Sequence, residues 1–117
     1  MKSVTIPLFT ALLAMPALAQ HAGHAGHGDD SMAAYMATME PMMGSMQGMA
    51  STGDADADFL LMMIPHHQSA LDMAQVELAQ GDDPETRALA ERIIEAQKAE
   101  IAQMKAMLER LGHPMPE

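Results

Sequence analysis

Residues 78–88 read LAQGDDPETRA. Gly81 follows a segment of apolar periodicity, the position of a helix stop. Pro84 suits the first turn of a helix, where the N–H that proline lacks has no partner to lose. The connection between these signals is short, so the flanking segments read as two antiparallel helices of one hairpin. The upstream helix is expected from about Asp56 to Gln80. The downstream helix is expected from Pro84 to about Leu111, closed by Gly112 with Pro114 beyond. Leu89, Ile93, Ile94, Ile101, Met104, Leu108 and Leu111 form its expected apolar face.

A third helix is expected ahead of the hairpin, in SMAAYMATMEPMMGSMQGMA, residues 31–50. Ser31 reads as its N-cap. Met32, Met36, Met39, Met43 and Met46 follow 4-3-4-3 spacing and share one face. Such a stripe can pack against the hairpin, present thioether sulfur, or do both. Pro41, Gly44 and Gly48 weaken the second half, where a kink or fraying is expected. The linker STGDADAD, residues 51–58, places Asp54, Asp56 and Asp58 at calcium-loop spacing. It lacks the glycine and distal glutamate of such a loop, so helix capping is the better account. No segment carries strand periodicity. The fold class is all-α: a ferritin-like, four-helix-bundle-like hairpin with an additional N-terminal Met-rich helix. Three helices leave an apolar face, for which a homodimer is the expected cover.

Residues 1–19 combine Lys2, an apolar run and a small-x-small ending at Ala17-Leu18-Ala19, the pattern of a cleavable signal peptide. Cleavage after Ala19 predicts export to the periplasm and no remaining membrane span. Residues 20–30, QHAGHAGHGDD, read as a disordered His-rich tail, residues 31–112 as a helical metal-binding domain, and 113–117 as a C-terminal tail. The 117-residue chain has a formal charge of −10. That balance argues against nucleic-acid binding and suits cations, although acids also serve solubility. There is no cysteine, and there are 15 methionines against three aromatic residues. Methionine specifies a core poorly, so this many of them asks for a second role.

Chemistry-bearing residues concentrate in MMIPHHQ, residues 62–68. With the hairpin turn centred near residues 82 and 83, positions at equal height sum to about 165. Met63, His66 and His67 then face the level of Glu100 and Met104, an i,i+4 pair. Pro65 is expected to kink the helix and turn both imidazoles toward one place. Met73 lies about 10 Å further along and suits a second ion or the core. Thioethers select Cu(I), and Ag(I) by the same softness; imidazole also accepts Cu(II) or zinc. The weaker candidates are His21, His24 and His27, where Cu(II) fits, and Met36, Met39, Met43 and Met46. No Glu-x-x-His pair, His-Glu-x-x-His motif or cysteine nucleophile supports catalysis, so no enzymatic activity is expected.

The runs DFLLMMIPHHQSALDMA and GDDPETRALAERIIEAQKAEIAQMKAML resemble a bacterial family long catalogued as a domain of unknown function, the CopM-like periplasmic copper-binding proteins. The resemblance rests on Met-Ile-Pro-His-His-Gln and a downstream Ile-Ile-x-x-Gln-x-x-Glu-Ile-x-x-Met. It covers about residues 54–111 and the Met-rich helix more weakly. It implies a ferritin-like bundle, a role in copper resistance, and copper ligation at Met63, His66, His67, Met73, Glu100 and Met104. Many relatives carry tryptophan where Met107 stands. The expected function is periplasmic copper binding for tolerance or trafficking, with a copper transporter or chaperone as partner. The alternatives are a structural or protein-interaction helical module without a physiological metal and, with least support, a redox enzyme.

Overall fold

The computed structural model describes residues 28–115. Three helices follow in order: α1 (Gly28–Gln47), α2 (Ala55–Gln80) and α3 (Pro84–Leu111). Among the described residues there is no strand. The predicted leader and the histidines of the tail, His21, His24 and His27, lie outside them. α2 is the central element. α3 packs antiparallel on it, α1 packs on it too, and α1 does not pack directly on α3. Among the described residues the result is an all-α arrangement built on the hairpin, with no fourth helix against the side of α2 and α3 away from α1.

Each helix end has a local cause. Asp54 caps α2, its carboxylate accepting from the N–H groups of Asp56 at 2.9 Å and Ala57 at 3.4 Å. The acidic linker is therefore a cap, as its composition suggests. Asp83 caps α3, accepting from the N–H and the hydroxyl of Thr86, both at 2.7 Å. Gly112 takes the left-handed conformation, with φ of 80°. Its N–H donates to Glu109 O and that of His113 to Leu108 O, a Schellman closure of α3. Gly81 is different, because its φ of −77° requires no glycine. A Cβ there would collide with the Glu77 carboxyl group. That carboxyl accepts a 2.9 Å hydrogen bond from the Tyr35 hydroxyl, the polar tie between α1 and α2. Burial raises the Tyr35 phenol above its usual 10.0, and the hydrogen bond and charge of Glu77 add to this. The turn is held by Arg87, which donates from Nη1 to Leu78 O at 2.7 Å and to Gly81 O at 2.8 Å. α2 has no basic residue in its own last turn, so α3 supplies the cation that its C-terminus favours.

The seam between α2 and α3 follows heptad spacing on both helices. Ala57, Leu60, Ile64, His67, Leu71, Ala74 and Leu78 line it from α2. Ala90, Ile94, Gln97, Ile101, Met104, Leu108 and Leu111 line it from α3. The apolar members form two clusters. One centres on Ala57, Leu60, Ile64, Met104 and Leu108, and the other on Leu71, Ala74, Ala90 and Ile94. The expected face of α3 is correct except at one place: Ala90 is buried and Leu89 is 48% exposed. With only α2 to pack on, the seam is narrow, and Leu89 flanks it.

α1 departs from expectation at its start and in its continuity. It begins at Gly28, so residues 28–30 belong to the helix and Ser31 lies inside it rather than capping it. It runs unbroken through Pro41 and Gly44 to Gln47. Its methionine stripe turns away from the core: Met32, Met36 and Met43 are exposed, and Met39 and Met46 half-buried. Tyr35 and Thr38 face α2 instead.

Gly81→Ala should displace the Glu77 carboxyl and weaken the fold by about as much as Tyr35→Phe, roughly 0.5–1.5 kcal/mol each. Urea unfolding of the double variant should then show far less than the sum. The hydrogen bonds from the Thr86 side chain and backbone hold the Asp83 carboxyl below its usual 3.8. A group lowered on folding stabilises above its unfolded value and loses that contribution as the pH falls through the folded one. Asp83→Asn retains a cap but cannot titrate. Its Tm should match the parent at neutral pH and fall less steeply below about pH 4.

Candidate metal centre

Midway along the seam the two apolar clusters are separated by one polar layer. His67 of α2 and Gln97 of α3 occupy it at matching heptad positions. Gln97 Oε1 is buried and has no hydrogen-bond partner among the described residues. His67 is half-buried and both ring nitrogens are engaged. Nδ1 lies 2.9 Å from the Met63 carbonyl oxygen and Nε2 lies 2.7 Å from Glu100 Oε2. A carbonyl can only accept, so Nδ1 carries hydrogen and donates. A neutral ring then turns its Nε2 lone pair toward a carboxylate. Two acceptors at that distance need a proton between them, or a cation that both can ligate. Donation of the other ring nitrogen to a carbonyl is the arrangement that orients metal-binding histidines.

The register explains why Glu100 is the residue that His67 reaches. Core layers such as Ile64 with Ile101 and Leu71 with Ile94 keep the expected sum of about 165. His67 and Glu100 sit two residues off that level. Side chains on a helix lean about one position toward its N-terminus. His67 thus leans away from the turn and Glu100 toward it, and their tips meet.

Met63 and Met104 bear the same relation one turn further from the hairpin turn. Met104 is buried in the first apolar cluster and Met63 is half-buried against that cluster. Met63, His67, Glu100 and Met104 are therefore neighbours along one edge of the seam. Met104 lies at its buried inner end, while the Glu100 side chain, 53% exposed, opens it to solvent.

The other two candidates are not brought to this edge. His66 is exposed, its ring centroid 6.1 Å from that of His67 with the planes tilted by 59°. The expectation that Pro65 aims both imidazoles at one place is thus corrected. α2 continues through Pro65, and successive residues stay about 100° apart around it. Pro65 instead lines a cavity of about 380 Å³ that also meets Ser45 of α1 and Ile101 and Lys105 of α3. Met73 lies toward the hairpin turn, in an apolar groove with Tyr35, Glu77, Leu89 and Ile93. Of the weaker candidates, Met36 and Met43 face solvent. Among the described residues no three His, Cys, Asp or Glu side chains converge, and the side-chain donors next along the edge from His67 and Glu100 are the thioethers of Met63 and Met104.

Sequence reasoning missed Gln97 as a buried acceptor, the Arg87 clamp and the Tyr35–Glu77 tie. Gln97 was legible in principle, since it falls on the heptad positions that the apolar face of α3 defines. The other two depend on how side chains cross between helices.

Comparison with known families decides the relationship. A family model described as a domain of unknown function, DUF305, matches residues 6–108. The chain belongs to the DUF305 family. The match spans all of α1 and α2 and most of α3, including every residue of the seam edge. Curated proteins yield no match to the chain. No described helix of this DUF305 member is long and apolar enough to cross a membrane.

An orphaned acceptor in a seam layer costs about 1–3 kcal/mol relative to a paired one. Gln97→Leu, of similar size and apolar, should therefore raise the unfolding free energy by about 1 kcal/mol or more in urea titrations. His67→Leu in the same assay removes a satisfied ring and should give no comparable gain.

Proposed function

We propose that this DUF305 protein is a periplasmic copper-binding protein that holds Cu(I), and Ag(I) by the same chemistry, for copper tolerance or trafficking. The observation that carries the reading is the His67–Glu100 contact, with Nδ1 tied back to the Met63 carbonyl and the Met63 and Met104 thioethers one turn away. One imidazole and two thioethers form a soft donor set that favours Cu(I) over magnesium, calcium or zinc. Glu100 offsets the positive charge at the mouth. The resemblance of MMIPHHQ to the CopM-like signature supports the same reading, as does a formal charge of −10, which attracts cations. Arrival at the periplasm rests on the predicted signal peptide, and a copper transporter or chaperone is the partner that trafficking requires. His66 and Met73 belong to the resemblance-derived ligand set but lie off the seam edge, so neither is assigned to this ion.

A second reading has its own observation. Phe59 and Leu89 are exposed, along with several methionines of α1, which suits an adaptable surface for a second copy or another protein. Competition against a chromogenic Cu(I) chelator under anaerobic conditions separates the two. His67→Ala and Glu100→Gln should each weaken Cu(I) binding by about tenfold or more. His66→Ala should change it little. Equal, weak binding by the parent and the His67 variant would reject the copper site and favour the interaction module.

A further inference from the structure

A different set of thioethers converges on the other side of α2. Met46 near the end of α1, Met49 just beyond it and Met62 of α2 line one cavity of about 170 Å³, with Ala50, Ser51 and Asp58 completing its wall. We propose that Met46, Met49 and Met62 form a second site, one for a soft monovalent cation, Cu(I) or Ag(I), entered directly from solvent. It rests on residues separate from the His67–Glu100 edge and does not depend on that reading.

The convergence is tertiary. Met49 lies just past the end of α1, its N–H donating to the Met46 carbonyl at 3.4 Å, and Met62 comes from the neighbouring helix. Met62 is 46% exposed, so the cavity has an open mouth, while Met46 and Met49 are half-buried. The wall is held in place by Asp58. Its carboxylate accepts from the Ser51 hydroxyl at 2.6 Å, the Thr52 N–H at 2.7 Å and the Thr52 hydroxyl at 2.8 Å. These bonds fasten the 48–54 linker to the first turn of α2, and with it the position of Met49. They also keep the carboxyl ionised, holding it below its usual 3.8.

The donor set selects the ion. A hard divalent cation takes six or more oxygen ligands. This cavity offers one carboxylate, and both of its oxygens already accept hydrogen bonds. Three neutral thioethers suit a d10 monovalent ion, for which softness compensates for the lack of donor charge. Asp58 then supplies a nearby negative charge without being a ligand. Leucine would pack the same space with a better-defined shape, so sulfur is what methionine adds here.

Met62 and Met63 are consecutive and so lie about 100° apart around α2. Met62 serves the cavity against α1, and Met63 lies on the edge against α3. The two sites are neighbours on one helix, with the solvent-open one at Met62.

The test uses the full chain labelled with ¹³C at the methionine methyl groups and titrated with Ag(I). The Met46, Met49 and Met62 methyl resonances should move together within the first equivalents. They should still do so in a His67→Ala/Glu100→Gln protein, which separates this site from the seam edge. The Met46→Leu/Met49→Leu/Met62→Leu protein should bind one Ag(I) fewer by calorimetry. Met62→Leu alone, at an exposed position, should weaken that site while leaving helicity unchanged. If the three methyls stay still at stoichiometric Ag(I), or if Met62→Leu binds Ag(I) as the parent does, the site does not exist. Equal shifts with Ca²⁺ would show that the cavity is not selective for soft ions and would overturn the assignment.

Discussion

The arrangement turns on one polar contact across the α2–α3 seam, between His67 Nε2 and Glu100 Oε2 at 2.7 Å. The seam is apolar on either side of it. At the midpoint, however, heptad spacing brings His67 and Gln97 into positions that would otherwise be hydrophobic. A polar layer in such a place carries a penalty unless its groups are satisfied. His67 escapes by leaning out of the layer to reach Glu100 and by donating back to its own helix. Gln97 has no such exit, and its buried oxygen has no partner among the described residues. Polar residues at isolated core positions are known to fix register at some cost in stability. A one-layer slip here would set His67 against Ile94 or Ile101 and lose the contact with Glu100.

The central helix then distributes its motif. Read as a string, MMIPHHQ looks like one site. Wrapped on a helix, its residues point in different directions. Met62 faces the α1 linker, Met63 and His67 the edge against α3, and Ile64 the core. Pro65 lines the gap between α1 and α3, and His66 meets solvent. The proline does not aim the imidazoles. The helix carries it without a break, and its missing N–H sits on a side given over to a cavity. Three of the motif's residues thereby divide between two candidate soft-metal environments, Met63 and His67 half-buried at one and Met62 exposed at the other.

Methionine serves three purposes here. Met104 fills the core, Met63 borders it, and Met32, Met36 and Met43 stand in solvent. Flexibility explains the first two, since an unbranched thioether adapts to an irregular seam. It does not explain the last group, because a helix surface pays no packing penalty for a charged residue. Leucine or lysine would do as well there unless sulfur itself is wanted. The exposed group is the one that both proposed readings, soft-metal capture and an adaptable docking surface, would use.

The amino-acid sequence by itself determined the helices, the hairpin and its register. These follow from short-range causes: Gly112 in a left-handed cap, Pro84 at the first turn, aspartates at the helix starts, and apolar residues at helical spacing. It also brought Met63, His66, His67, Glu100 and Met104 to one level, because two helices joined by a short turn leave little freedom in which levels meet. It misjudged the start of α1, where glycine and histidine density outweighed the helix, and it left the direction of the methionine stripe open. Only the tertiary structure decided which side of each helix was covered. That depends on α1 docking on α2 alone, through Tyr35 and Glu77, residues 42 positions apart. It likewise decided that His66 stays outside and that Met46, Met49 and Met62 share one cavity. Periodicity fixes the angle between residues on a helix, but the partner that meets each angle is set by packing between helices.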